Sequence, residues 1–177
     1  MDSDQELIEL VNEGDPDAFE VLYRRYRDWV YRLAWRFTGN QQDALDVLQE
    51  TFTYLLGKFP GFELTASMTT FLYPVVRHIS LTIRSKSRRF TSDEEILGEI
   101  AAPVSKETQS SRSELAAVLA VLPDEQREVL LMRFVDDMTL QEIATALNIP
   151  IGTVKSRLHH ALQKLRHDRR TRDYFLE

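Results

Sequence analysis

The sequence contains no cysteine, which excludes disulfides, thiolate metal sites and thiol redox chemistry within the chain. Glycine is scarce, at six residues, and none forms a phosphate-cradling loop. No Gly-x-Ser-x-Gly elbow and no His-Glu-x-x-His pair occurs. Acids are plentiful, but no motif organises them for catalysis, so the expectation is that the protein is not an enzyme. His159 and His160 are helical neighbours about 100° apart, a poor metal pair, and neither a metal nor a cofactor is expected. No run of about 18 apolar residues is present, so no membrane span is expected. The start, Met1-Asp2-Ser3-Asp4-Gln5-Glu6, is acidic and lacks the basic-then-apolar order of a secretory signal. A cytoplasmic protein is the simple reading.

What is present is a chain of 177 residues with 43% apolar side chains, enough for one medium helical domain or two small ones. The net charge of −6 argues at first against nucleic-acid binding, because phosphate contacts need Lys and Arg. Distribution matters more than the sum. From 77 to 89 stand five basic residues (Arg77, Arg84, Lys86, Arg88, Arg89) and no acid. From 150 to 172 stand seven basic residues against Asp168 alone. Two basic patches in an acidic background suit a protein that touches DNA at two places and binds it weakly by itself.

The hydrophobic period is helical nearly throughout. Asp15-Pro16 reads as a cap followed by proline at the first helical position. Phe19, Leu22, Tyr23, Tyr26, Val30, Leu33, Ala34 and Phe37 form one stripe, and Gly39 closes that helix. A second helix opens near Asn40, with an inner face of Ala44, Val47, Leu48, Thr51, Phe52, Leu55 and Leu56. Phe59-Pro60-Gly61-Phe62 breaks it. Ser67 can cap a third long helix toward Arg89, kinked by Pro74 within it. Residues 91–112 read as an acidic flexible linker. Short helices then follow: Glu114 to Leu122, Asp124 to about Val135, Leu140 to Leu147 behind a Thr139-x-x-Glu142 capping box, and about Ile151 to His167. No strand pattern or repeat is visible. The predicted fold is all-α: two small helical domains, 1–90 and 113–177, joined by the linker.

Leu140 to Arg166 reads as a helix-turn-helix. Asn148 sits where the first helix must reverse, a corner that needs positive φ, which Asn tolerates best after Gly. Val154, Leu158, Ala161, Leu162 and Leu165 form the buried stripe of the second helix. Thr153, Lys155, Ser156, Arg157, His159, His160 and Lys164 form its outer face, suited to base edges and phosphates in a major groove. In the first half, Asp43, Asp46 and Glu50 fall at i, i+3 and i+7 on one face with Gln49 beside them, a carboxylate ridge that fits a basic partner helix.

These segments resemble a known family. Leu122-Pro-Asp-Glu-Gln-Arg-Glu-Val-Leu-Leu-Met-Arg-Phe134, Met138-Thr-Leu-Gln-Glu-Ile-Ala144 and Ile149-Pro-Ile-Gly-Thr-Val-Lys-Ser-Arg-Leu158 look like the C-terminal domain of extracytoplasmic-function sigma factors of the sigma-70 family. The resemblance implies that residues 113–177 read the −35 promoter element through Thr153, Lys155, Ser156, Arg157, His159 and His160, and dock the polymerase β flap. The stretch Asp43-Ala-Leu-Asp46-Val-Leu-Gln49-Glu50-Thr-Phe52 is similar to the helix that binds the β′ clamp of RNA polymerase core. That implies core-binding roles for Asp43, Asp46, Gln49, Glu50 and Phe52. Ala66 to Tyr73 with Arg77 looks like the segment that melts and captures the −10 element, which implies DNA contacts at Phe62, Ser67, Phe71, Arg77, His78, Arg84 and Arg88. Unstacked bases are held by aromatics and small polar groups beside a basic track, and Tyr73 adds a further aromatic there. Departures are Asn148 where Gly is commoner, His159-His160 in place of aromatic or basic residues, Phe71 where Trp is usual, and Pro74 in place of a helix-continuing residue. An anti-sigma factor is a further implied partner. The competing reading of the helix-turn-helix is an ordinary repressor or activator that binds a palindromic duplex as a dimer without polymerase.

Overall fold

The computed structural model describes residues 3–91, 118–168 and 171, with the backbone alone for 87–91. The expected linker from residue 92 to 112, the helix start at Glu114 and the side chains of Arg88 and Arg89 lie outside the described residues. All regular structure among the described residues is helical, as the sequence pattern predicts. The chain divides into two compact units, Met1–Glu95 and Ile96–Glu177.

The first unit begins with a helix that the hydrophobic period of the sequence does not announce. Helix α1 spans Asp4–Asn12 and opens on a capping box: Ser3 Oγ accepts from the Glu6 N–H, and Glu6 Oε2 accepts from the Ser3 N–H at 2.6 Å. Each such cap is worth about 1 kcal/mol. The backbone hydrogen bond from Ser3 holds the Glu6 carboxyl below its ordinary value. Leu7, Ile8 and Val11 bury one side of α1, and Asp4 accepts from Arg25 and Tyr26 of the next helix.

Helix α2 spans Pro16–Thr38. Asp15 caps it by accepting from the Asp17 and Ala18 N–H groups, and Gly39 closes it in the left-handed region at φ 78°. Helix α3 spans Gln41–Leu56, capped by Asn40 Oδ1 on the Asp43 N–H at 2.8 Å. Helix α4 spans Met68–Thr91, with Ser67 Oγ accepting from the Thr70 N–H. Pro74 lies inside α4 and faces solvent. It supplies no N–H to the turn before it. The core of the unit is built from Leu22, Val30, Leu33 and Ala34 of α2, Ala44, Val47 and Leu55 of α3, and Met68, Leu72, Tyr73 and Val76 of α4. The expected inner face of α3 needs one correction. Leu56 is 51% exposed, because it lies one position past the stripe that Leu55 ends.

In the second unit, helix α5 spans Asp124–Phe134, α6 spans Leu140–Leu147 and α7 spans Ile151–His167. Before α5, the Arg127 guanidinium donates to the carbonyls of Leu119 and Leu122, each at 2.8 Å. It thereby satisfies carbonyls that a helix end leaves open. Thr139 and Glu142 form the predicted capping box of α6. Asn148 ends α6 at φ 52°, ψ 49°, the left-handed corner that its side chain was expected to tolerate. The Ile149 N–H returns to the Ala144 carbonyl at 3.0 Å, so the turn is closed by backbone as well. Val118, Leu122, Leu130, Ala161 and Leu165 form a buried cluster, with Leu119, Leu158 and Leu162 packed against it.

Candidate nucleic-acid interface

The α6–α7 pair is the clearest site. Val154 and Ala161 of α7 are fully buried, which fixes the helix's rotation about its axis. That rotation leaves Lys155, Ser156, His159 and His160 exposed on one side, with Thr153 half-buried at the edge. The His159 and His160 ring centroids lie 5.8 Å apart. Pro150 precedes α7 without a side-chain cap, so its first-turn N–H groups keep an anion-favouring end. Arg157 sits differently from its neighbours. Its side chain is 23% exposed and its Nη2 meets Glu125 Oε2 of α5 at 2.6 Å. The guanidinium is engaged with α5, where the sequence reading set it on the outer face. About 100° round the helix from Ser156, the charge of Arg157 ties α7 to α5.

In the first unit, α3 carries the acidic ridge. Asp46, Gln49 and Glu50 are exposed and Asp43 is half-buried. Asn40 Nδ2 donates to Asp43 at 2.7 Å and Gln42 Nε2 to Asp46 at 3.2 Å. Phe52 lies beneath the ridge, nearly buried, edge-on to Tyr23 at 4.7 Å and to Phe19 at 6.5 Å. Beside them is a feature that sequence reasoning missed, a groove of about 430 Å³ lined by Phe19, Tyr23, Leu45, Leu48, Gln49, Phe52, Thr53 and Leu56. Leu45 is 43% exposed. Positions 45, 49, 52, 53 and 56 form one helical stripe, and that spacing could have revealed it. The ridge is therefore flanked by an open apolar surface, and an amphipathic basic helix is its natural complement.

The third set of predicted residues surrounds the start of α4. Phe71 is half-buried, with its ring centroid 4.8 Å from that of Phe62. Phe62 is buried, and it also contacts Phe59 at 5.4 Å. Phe62 thus backs Phe71 from inside. Tyr73 is likewise buried, 6.2 Å from Phe37 in an edge-to-face pair. It belongs to the core, because α4 rotates it away from the side that Phe71 occupies. Ser67 is spent on the cap of α4, its hydroxyl 2.7 Å from that of Thr70. Arg77 is half-buried, while His78 and Arg84 are exposed. Arg84 also reaches the Phe37 carbonyl at 3.4 Å. Arg88 falls among the residues whose side chains are not described. Aromatic and hydroxyl groups thus stand at the start of α4, and basic groups follow along it at Arg77, His78 and Arg84. A residue outside every predicted set, Asn12, holds the loop before them.

No helix among the described residues is long and apolar enough to cross a membrane. Two family models match the chain: Sigma-70 region 2 over residues 22–90 and Sigma-70, region 4 over residues 118–167. The ECF RNA polymerase sigma factor SigW of Bacillus subtilis is 32% identical over 173 residues, covering 90% of this chain and 92% of that protein. The ECF RNA polymerase sigma-E factor of Haemophilus influenzae is 27% identical, covering 92% of this chain and 93% of that one. Among solved structures, CnrH in complex with the cytosolic domain of CnrY aligns with a TM-score of 0.67 at 22% identity, covering 92% of this chain and 94% of that one. The sigma factor RpoE from Bartonella quintana, in complex with the anti-sigma factor NepR, aligns with a TM-score of 0.61 at 18% identity, covering 84% of this chain and 94% of that one.

Proposed function

This chain belongs to the extracytoplasmic-function branch of the sigma-70 family, and on that premise we propose that it binds bacterial RNA polymerase core and directs promoter-specific initiation by reading −35 DNA and capturing −10 DNA. The observation that carries this reading is the exposed Lys155, Ser156, His159 and His160 face of α7, held opposite a buried stripe behind the left-handed Asn148 corner. A helix so fixed presents its N-terminal half to base edges while its cations meet phosphates. Thr153 stands at the edge of that surface. Arg157, tied to Glu125 of α5, braces α7 behind it.

The same reading gives each remaining surface a task. Residues 1–90 engage core and open the promoter, and 113–177 dock at −35 and on the β flap. Asp43, Asp46, Gln49 and Glu50 meet the β′ clamp, and the groove above Phe52 takes its apolar face. Phe71 receives an unstacked base, with Ser67 and Phe62 behind it. Arg77, His78, Arg84 and Arg88 follow the displaced strand, a mixture of π-faces and cations suited to single-stranded DNA. Unpairing costs a few kcal/mol per flipped base, and these contacts offset it without covalent chemistry. The setting is the cytoplasm, where polymerase and template are. An anti-sigma factor covers these apolar and acidic surfaces when the protein is silent, a role supported by the neighbours CnrH, solved with CnrY, and RpoE, solved with the anti-sigma factor NepR.

The test is holoenzyme assembly followed by run-off transcription, with the purified chain, bacterial core polymerase and a library of genomic fragments. Binding to core with discrete transcripts is the expected result. A chain that ignores core and binds a palindromic duplex as a dimer would overturn the proposal in favour of an ordinary helix-turn-helix regulator.

A further inference from the structure

Asn12 is the last residue of α1. Its Oδ1 accepts from the Gly61 N–H at 2.6 Å and from the Phe62 N–H at 3.0 Å, and its Nδ2 donates to the Phe62 carbonyl at 3.0 Å. A side-chain amide offers one acceptor with two lone pairs and two donors. Here it pairs with both backbone groups of Phe62 and takes the adjacent N–H as well. Gly61 stands at φ 96°, a left-handed conformation that suits glycine, and both its N–H and that of Phe62 find their acceptor on Asn12. Aspartate would set a carboxylate oxygen against the Phe62 carbonyl, and glutamine would be one methylene too long.

What the amide holds matters. Phe62 is the residue whose ring lies 4.8 Å from Phe71 and 5.4 Å from Phe59, and Phe59 in turn lies edge-on to Phe19 of α2 at 6.2 Å. Fixing the peptide of Phe62 therefore fixes the surface against which Phe71 rests. Helix α1 lies before the part of the chain that the region 2 model matches, which begins at residue 22.

We propose that Asn12 is a positioning residue for promoter opening: by locking the Gly61–Phe62 backbone it holds Phe62 behind Phe71, and so makes α1 part of the strand-capturing apparatus. This rests on the reading of Phe71 as a strand-capturing residue. Asn12 touches no DNA. It acts by pre-ordering the loop, so that capture of the strand does not also have to order it.

The experiment uses the full chain in holoenzyme with bacterial core, on a promoter fragment recovered by run-off transcription. Opening is read by permanganate reactivity of thymines in the −10 region, and core affinity is measured in parallel. Asn12→Ala should lower the open complex at equilibrium roughly tenfold, the scale of one net hydrogen bond lost, with core affinity unchanged. The Gly61 and Phe62 amides should then exchange faster with deuterium. Asn12→Asp keeps the acceptor and loses the donor, and should lower opening in the same direction; it serves as the readout should Asn12→Ala lose helix content. Asp4→Ala loosens α1 from α2 without touching the loop, and should open the promoter nearly as the unmodified chain does. Unchanged opening in both Asn12 variants would sink the proposal, as would an equal loss in Asp4→Ala, which would make α1 a matter of general stability. If the unmodified chain forms no open complex with core, the functional reading itself falls and takes this role with it.

Discussion

The Arg157 guanidinium meets the Glu125 carboxylate at 2.6 Å, tying the middle of α7 to the first turn of α5. The pair is partly exposed, with Glu125 70% accessible, so its contribution to stability is small, on the order of 0–1 kcal/mol. Its larger effect is on the charge map of the helix, because a cation held by a carboxylate offers less to a phosphate than Lys155 does.

The two cations should therefore separate in DNA binding. In holoenzyme on a −35 promoter fragment, Lys155→Ala with Ser156→Ala should abolish −35 dependence while core binding persists. Lys155→Ala alone should flatten the plot of log affinity against log salt by about one phosphate. Arg157→Ala should move that slope less, and Glu125→Gln should steepen it by releasing Arg157. Equal slopes for the two arginine and lysine variants would refute the division of labour. Equal loss of core binding and −35 dependence would mean that the double variant is unfolded.

Asn148 gives a second, purely conformational test. Its φ of 52° costs roughly 1 kcal/mol for a residue with a Cβ and no helping side chain. Asn148→Ala should lower the melting temperature of the second unit by roughly 4–8 °C, the shift that such an energy produces in a domain of this size. Asn148→Gly should be neutral or stabilising. Thermal unfolding followed by circular dichroism decides it. A stable Asn148→Ala would mean that the corner is held by the Ile149–Ala144 backbone bond alone.

Local chemistry made much of the fold legible. Asp15-Pro16, Gly39, Asn40, Ser67, the Thr139–Glu142 box and Asn148 each announce a helix end through a hydrogen bond or a φ value that only a few residue types can supply. Helix α1 carries the same kind of signal, Ser3-x-x-Glu6 before Leu7 and Ile8. Nine residues are too few for a period to stand out from an acidic start. The sites were legible as regions but not side chain by side chain. Whether an aromatic packs inward or faces DNA depends on helix rotation set by the whole core, and so Phe62 and Tyr73 are buried while Phe71 is not. Arg157 is likewise indistinguishable from Lys155 until Glu125 of another helix is placed beside it. Asn12 was beyond reach, because its partners lie 49 and 50 residues away and are backbone atoms.

Tyr26 predicts an alkaline weakness in the first unit. Burial, then the hydrogen bond to Asp4, raises its hydroxyl well above the ordinary phenol value. A group with a raised folded pKa contributes stability that is fully present below the unfolded value, about 10, and is lost as pH rises toward the folded one. Stability of the unit should therefore fall above about pH 10. Tyr26→Phe should lose about 1 kcal/mol near neutrality and show a shallower alkaline decline. Denaturant unfolding of both chains at pH 8 and at higher pH checks this. The same alkaline slope in both would place its origin in another group.

The groove on α3 supplies the sharpest separation between folding and partner binding. Leu45 and Leu56 are about half exposed, so a polar substitution at either leaves no buried charge and should change stability by no more than about 0.5 kcal/mol. Both nonetheless line the apolar wall beside Asp46 and Glu50. Leu56→Glu should weaken core binding at least tenfold, because the wall loses apolar area and a partner helix would have to desolvate the new charge. Asp46→Lys should weaken it too, but by a different route: its effect should shrink as salt is raised, since an exposed charge pair is screened, whereas that of Leu56→Glu should persist. Titration of core polymerase with each variant at two salt concentrations gives the answer. Wild-type core affinity in Leu56→Glu would show that the groove is not part of the polymerase contact and would leave the acidic ridge to hold core alone.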